Sequence, residues 1–373
     1  MGDPLRIAHV VGKMVGGGVE QVVMNYYRHI DRSLVQFDFI VDSDSSLVPW
    51  EEIESLGGRI FIVPPYQSLA AYLRELERLF REQSWTIVHS HINSLSVFPL
   101  RAAKRAGVPV RIAHSHSTSG RGELAKNALK CVLRTQANRY PTHRFACSRL
   151  AGEWLFGHGA DFETVPNAIE LDSFLFDGEA RVSARSELGL SADQFVLLHV
   201  GRFSTQKNQA FLLDAFARLI EVRPNSVLLL VGTGDLLLSI EERAMALSVA
   251  DKVRFLGQRD DVWRLYMAAD AFVLPSLYEG LGIVAVEAQV AGLPCFLSAR
   301  VTEEVDISGT CHFLSVDRPS SADAWANCIA RVPLDNRLTV NRNAFDEYDI
   351  DSAANMLLRR YEALYDLAQT MRN

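Results

Sequence analysis

Glu279 and Glu287 stand eight residues apart around a glycine turn, in the run Tyr278-Glu279-Gly280-Leu281-Gly282-Ile283-Val284-Ala285-Val286-Glu287. Ionised carboxylates accept hydrogen bonds from hydroxyl groups, so two at a fixed separation can grip two ends of one polyhydroxylated ligand. The apolar run 271–274 before them reads as a buried strand, Pro275 and Ser276 end it, and Gly282 frees the backbone where a helix opens. About three extended residues at ~3.3 Å and five helical ones at ~1.5 Å put the carboxylates at most ~17 Å apart. A sugar hydroxyl and a ribose of one nucleotide-sugar fit within that span. Between them the unpaired N–H groups around Leu281, Gly282 and Ile283 can meet a diphosphate.

The same residues also fit the dinucleotide fingerprint, as Gly280-x-Gly282-x-x-Ala285, with Glu303 or Glu304 about twenty residues on. An NAD(P)-dependent oxidoreductase and a non-catalytic nucleotide-binding protein are therefore open alternatives at this point. Other chemistry follows other strand-like runs. After 196–200 come Arg202 and Lys207, two cations able to neutralise charge on a departing diphosphate. After the first apolar run, Gly16 and Gly17 allow close backbone approach to a phosphate at the start of a helix, where Glu20 suits the helix dipole. His114 and His116 follow another run and share one face if the chain is extended, with His116 the better placed to touch a sugar. No third ligand at a recognisable spacing marks them as a metal site. Asp42-Ser43-Asp44 is a DxD pair of the kind that can hold a divalent ion, yet with Ser45 and Ser46 it reads as a solvated acidic turn.

These residues need a scaffold that brings many strand ends together. Short apolar runs alternate with helical stretches through 5–147, and the pattern restarts at 195 and continues to 314. The expected fold class is α/β, with two doubly wound, Rossmann-like parallel sheets. The expected boundaries are 1–168 for an N-terminal acceptor-side domain, 169–192 for a linker, 193–348 for a C-terminal donor-side domain and 349–373 for a last helix. A chain of 373 residues is too long for one ordinary core, in keeping with two domains. No apolar run approaches the ~18 residues of a membrane span and no signal pattern opens the chain, so a cytoplasmic location is expected. Five scattered cysteines with no CxxC pair read as reduced thiols. The net charge of −7 is uneven: 101–144 carries +9 and the remainder −16. That basic stretch reads either as a solvated face or, through Leu124, Leu129, Val132, Leu133, Lys126, Lys130 and Arg134, as an amphipathic helix on an anionic membrane. Nothing in the pattern suggests a nucleic-acid partner.

Taken in order, Gly16-Gly17-Gly18-Val19-Glu20, Ala113-His114-Ser115-His116-Ser117, Ala146-Cys147-Ser148, Val165-Pro166-Asn167-Ala168-Ile169, Gly201-Arg202 with Lys207, and Glu279-x7-Glu287 resemble the retaining glycosyltransferases of family 4. Residues 146–157 are most similar to the exopolysaccharide-synthesis subgroup. The resemblance implies a GT-B fold with the donor site in the cleft between two domains, and a nucleotide-sugar donor, more often UDP-linked, with no further cofactor and no metal. It implies that Arg202 and Lys207 hold the diphosphate with Gly17 near it, that Glu287 takes the ribose and Glu279 the transferred sugar, that His116 touches that sugar, and that backbone around Arg259 meets the base. A glycan or polyprenyl-linked acceptor is the implied partner. Ala168 departs from the family's usual glycine after Asn167.

Overall fold

The computed structural model describes residues 3–117, 132–318, 320–334 and 337–371, and within it the chain forms two compact units. The first takes the chain up to Ile169 together with Glu347 onward, and the second takes Glu170–Asp346. Leu124, Lys126, Leu129 and Lys130 of the expected amphipathic helix lie outside the described residues.

The first unit is a seven-stranded sheet in the order β3-β2-β1-β4-β5-β6-β7. Its strands are β1 (Leu5–Gly12), β2 (Val35–Asp42), β3 (Arg59–Val63), β4 (Ile87–Ser90), β5 (Val110–Ser115), β6 (His143–Ala146) and β7 (Glu163–Thr164), all paired in parallel. Helices cover both faces, so the central strands are buried on both sides and are largely apolar, with buried polar groups such as His9, Asp38 and His89 among them. One face packs the helix Gly18–His29 and the last helix, Ile350–Thr370, which buries Ala354, Leu357, Leu358, Tyr361 and Leu364 at helical spacing. That last helix starts where the Asp349 carboxylate accepts the amides of Asp351 and Ser352.

The second unit has β8 (Phe195–Val200), β9 (Ser226–Val231), β10 (Val253–Phe255), β11 (Ala271–Leu274), β12 (Cys295–Ser298) and β13 (Cys311–Leu314), parallel throughout in the order β10-β9-β8-β11-β12-β13. The order reverses between β8 and β11, where Leu197 lies beside Ala271 and Leu198 beside Phe272. Crossovers on opposite faces leave a crevice at such a point, at the carboxyl ends of the two strands. The loops 201–208 and 275–282 leave those ends.

Residues 170–192 do not stand apart as the expected linker. The helix Gly178–Glu187 belongs to the second unit because it carries Arg181 and Arg185, which are buried against Asp270 and the end of the helix Val262–Ala268. The polar composition that suggested a linker is the composition of a buried ion network.

Candidate functional site

In the second unit the two switch-point loops hold each other. The Leu277 amide donates to the Gln206 carbonyl at 2.8 Å and the Asn208 side chain to the Pro275 carbonyl at 3.2 Å. Asn208 is in the left-handed region (φ 56°), the turn that ends the first loop and starts the helix Gln209–Val222. The result places Lys207 Nζ 2.7 Å from Glu279 Oε1, with only 16% and 8% of the two side chains exposed. Gln206 Nε2 donates to Glu279 Oε2 at 3.2 Å and to the Tyr278 carbonyl at 3.0 Å. Lys207 and Glu279 are thus brought together, while Arg202, on the same loop, is exposed.

Gly282 has φ +88°, so a side chain there would be strained, and it turns the chain from the Glu279 loop into the helix Ile283–Val290. Leu281 is buried beneath this turn and Ile283 begins the helix. Glu287 lies in the second turn, half-buried, with Oε2 2.7 Å from the Tyr266 hydroxyl. Burial pushes its carboxyl up to about 7, against the opposing pull of the Tyr266 hydrogen bond and the Lys207 charge. Lys207 therefore acts on both glutamates. Arg259, in the loop after β10, is clamped by Asp261 with contacts of 2.6 and 2.7 Å.

Two glycines absent from the expected site support it. Gly232 and Gly234 follow β9 with φ +130° and +151°, and a Cβ on either would come within 2.4 Å of the carbonyl oxygen of Gly201 or Phe203. Only glycine lets the β9 loop lie under the Arg202 loop so closely. Gly232-Thr233-Gly234 directly after an apolar run was the available signal.

The first unit carries the other expected residues, and several are internally occupied. Gly16 has φ +79° and Gly17 caps the helix Gly18–His29, but the buried Glu20 carboxylate already accepts the amides of Val15 at 3.0 Å and Gly16 at 2.6 Å. An anion at these amides must displace Glu20, which is more than a partner of the helix dipole. Asp42 is buried at the end of β2, its carboxyl raised to about 6 by burial and by Asp44, while Asp44 pairs with Lys13 at 2.8 Å. The acidic turn is therefore half inside the fold rather than wholly solvated.

His114 and His116 do share a face, with ring centroids 3.9 Å apart. Among the described residues they belong to a cluster of five buried imidazoles in the first unit, with His9, His89 and His91, on or just after β1, β4 and β5. The nitrogens of His91, His114 and His116 lie within 4.8 Å of one another, as do those of His9, His89 and His91, so a third neighbour exists that sequence spacing did not reveal. The contacts run as chains. His116 Nδ1 is 3.3 Å from Asn167 Oδ1, His91 Nδ1 is 2.9 Å from His116 Nε2, and His9 Nδ1 is 3.0 Å from His91 Nε2. With the Asn167 oxygen as acceptor, each ring carries its hydrogen on Nδ1 and the chain ends on a bare lone pair at His9 Nε2, which has no partner. A second chain runs from the Tyr361 hydroxyl through His89 to His114, at 2.7 and 3.1 Å. Burial and mutual repulsion hold His89, His91 and His114 well below the usual histidine range, and burial alone lowers His116 to about 4. All five are neutral at physiological pH. Both ring nitrogens of His116 are engaged, so a sugar can reach one only if a bond within this unit opens.

Of the basic stretch, Arg105 pairs with Glu77, Arg111 is bonded to the carbonyls of Val108 and Tyr140, and Arg144 to Asn138. Arg134 lies over the Trp154 ring and Arg139 over Tyr140. Among the described residues, no helix is long and apolar enough to cross a membrane.

Two parallel-sheet α/β units with candidate chemistry at strand ends fit a glycosyltransferase of the GT-B type, and comparison with known proteins bears this out. Residues 17–168 match the family described as glycosyl transferase 4-like domain, and residues 181–349 match glycosyl transferases group 1. The chain is 40% identical over 336 residues to the glycosyltransferase EpsF of Bacillus subtilis (strain 168), covering 87% of each. It is 25% identical over 314 residues to the Escherichia coli UDP-Gal:alpha-D-GlcNAc-diphosphoundecaprenol alpha-1,3-galactosyltransferase, covering 79% of each. Among solved structures, Anabaena HepE in complex with UDP and glucose superimposes with a TM-score of 0.78 at 18% identity, over 96% of this chain and 100% of that one. The chain belongs to the family 4 type of glycosyltransferases. The glycine fingerprint at 280–285 is accordingly that of a glycosyltransferase rather than of a nicotinamide enzyme.

Proposed function

We propose that this protein moves a hexosyl group, with retained anomeric configuration, from a UDP-sugar to a glycan or polyprenyl-linked acceptor in exopolysaccharide or cell-surface glycan synthesis. The observation that carries this reading is the paired Lys207 and Glu279 at the switch point of the second unit, with Glu287 on the helix beside them. Lys207 and Arg202 hold the donor diphosphate, the amides around Leu281–Ile283 add to that hold, Glu287 accepts the ribose hydroxyls and Glu279 those of the transferred sugar. Backbone near Arg259 meets the base. Relatives named for UDP-galactose and a diphosphoundecaprenol-linked acceptor, and a fold neighbour holding UDP and glucose, support the donor and acceptor classes.

Among the described residues of the site no side chain presents itself as a covalent nucleophile, and on the proposed reading the leaving phosphate itself takes the acceptor proton while catalysis rests on positioning and on charge stabilisation. Side-chain cations do the work of a metal, and transfer persists in EDTA. The division of labour between the glutamates is tested by calorimetry with UDP and by transfer assays. Glu287→Gln weakens binding of UDP and UDP-sugar alike. Glu279→Gln leaves UDP affinity unchanged or raised, because Lys207 no longer has to leave a partner to reach the phosphates, yet transfer is impaired. Equal loss of UDP affinity in both variants, or transfer abolished by EDTA and restored by manganese, contradicts the assignment.

The acceptor is presented at the inner face of a membrane, and the basic stretch 101–144 gives peripheral contact with anionic lipid. Each basic residue near such a surface adds ~1 kcal/mol, so binding is salt-sensitive. Cosedimentation with anionic vesicles at low and high salt checks this; no pelleting at low salt leaves the stretch an ordinary hydrated surface.

A further inference from the structure

Tyr266 lies on the helix Val262–Ala268, fully buried, and its hydroxyl faces two acceptors: Glu287 Oε2 at 2.7 Å and the Val284 carbonyl at 3.0 Å. A phenol has one hydrogen to give and lone pairs with which to accept. When Glu287 is ionised, that hydrogen goes to the carboxylate. When Glu287 is protonated, the carboxyl O–H donates to the Tyr266 oxygen, and the phenol hydrogen turns to Val284. The geometry leaves no buried group unpaired in either state, which is rare for a half-buried acid.

We propose that Tyr266 is a positioning residue for the donor ribose, a hinge for one proton that keeps Glu287 in place in both of its forms and makes tight donor binding coincide with release of that proton. The inference rests on the proposed role of Glu287 as ribose acceptor. A diol donates to an ionised carboxylate through charge-assisted bonds about twice as strong as neutral ones. The ionised form is therefore the one the donor selects.

The groups around Glu287 bear this out. Burial raises its carboxyl to about 7, so the protonated form is well populated before the donor arrives. Lys207 is the cation that acts on it, itself bound to Glu279. Of the other elements packed on the helix Ile283–Val290, Leu171–Phe174 brings Asp172, which is turned to Arg342. The turn Glu303–Val305 brings an exposed Glu303 and a Glu304 bonded to Thr302. β12 brings the buried Cys295, whose influence is felt by Tyr266.

The test is calorimetry with UDP-glucose, whose diphosphate is fully ionised across the range and adds no proton of its own, from pH 5.5 to 9 in buffers of low and high ionisation enthalpy. Wild type releases about half a proton on binding at pH 7, and its affinity rises with pH through 7. Tyr266→Phe keeps the ring and its packing but removes the bond that favours the carboxylate. A further rise of about one pH unit in the midpoint leaves about a tenth of Glu287 ionised at pH 7 instead of about a half, so binding is roughly fivefold weaker there and recovers by pH 9. Glu287→Gln binds weakly and without pH dependence. Tyr266→Phe matching wild type, or weakened equally at every pH, overturns the proposal while the ribose reading stands. Glu287→Gln binding as wild type does overturns the ribose reading itself.

Discussion

Lys207→Ala is expected to lower kcat/KM for sugar transfer by about 30- to 1000-fold, the loss of roughly 2 to 4 kcal/mol of transition-state stabilisation. The cation is poised for a change of partner. It is held 2.7 Å from Glu279, largely shielded from water, where charge interactions are less screened than at an open surface. On the proposed assignment, a departing diphosphate then takes over a cation already aimed by its partner. Arg202, exposed and not fixed in this way, is expected to give a loss at the lower end of the same range. The substitution also takes the ion-pair partner from Glu279, a buried carboxylate that the Gln206 side chain still reaches. Lys207→Ala with Glu279→Gln is the control that removes both charges of the pair, and it should recover stability without recovering turnover. Near-wild-type transfer by Lys207→Ala protein with a normal melting temperature would sink the assignment.

What the sequence made legible and what it hid have one cause. β8 and β11 run over the expected apolar runs 196–200 and 271–274 because a parallel strand buried on both faces is mostly apolar, and its ends are marked by the polar loop that follows. The loop chemistry was legible for the same reason, since in this topology ligand-binding residues follow strand ends. β7, two residues long, has no such signature. Partners distant in the chain were hidden. Glu279 and Lys207 are separated by 72 positions, and each was assigned to the ligand without its being visible that they bind each other. His-Ser-His occurs at 89–91 and again at 114–116, at the ends of two neighbouring strands, and only the pairing of those strands brings the rings together. His9 joins them only because β1 lies beside β4, with His9 opposite His89. A hydrogen-bonded imidazole chain is a property of that adjacency and has no spacing in sequence.

The segment expected as a linker carries a large stability effect. Asp270 is inaccessible to water and lies between Arg181 at 2.6 Å and Arg185 at 3.3 Å, whose side chains are only 10% and 8% exposed. Arg181 also donates to the carbonyls of Met267, Ala268 and Ala269. Arg185 donates to those of Ala268, Ser191 and Gln194. These two cations satisfy the unpaired carbonyls at the end of the helix Val262–Ala268, the end where positive charge is favoured. Asp270 neutralises them and accepts the Val196 amide at 2.8 Å, tying the foot of β8 to the foot of β11. Asp270→Ala would remove the carboxylate that both buried guanidinium groups share, and breaking a buried pair in this way costs about 3 to 5 kcal/mol, where replacing the whole cluster with apolar groups need not. Asp270→Asn, which keeps the acceptor for Val196 but not the charge, should fall between that variant and wild type. Urea denaturation gives the size of the loss, and hydrogen exchange at the β8 and β11 amides shows where it is felt. Because these strands carry the 201–208 and 275–282 loops at their other ends, transfer activity should fall with stability and return when the protein is assayed at lower temperature. An Asp270→Ala protein within about 0.5 kcal/mol of wild type would mean that the arginines find other partners or reach water, and that the helix Gly178–Glu187 is held to the second unit by its apolar contacts alone.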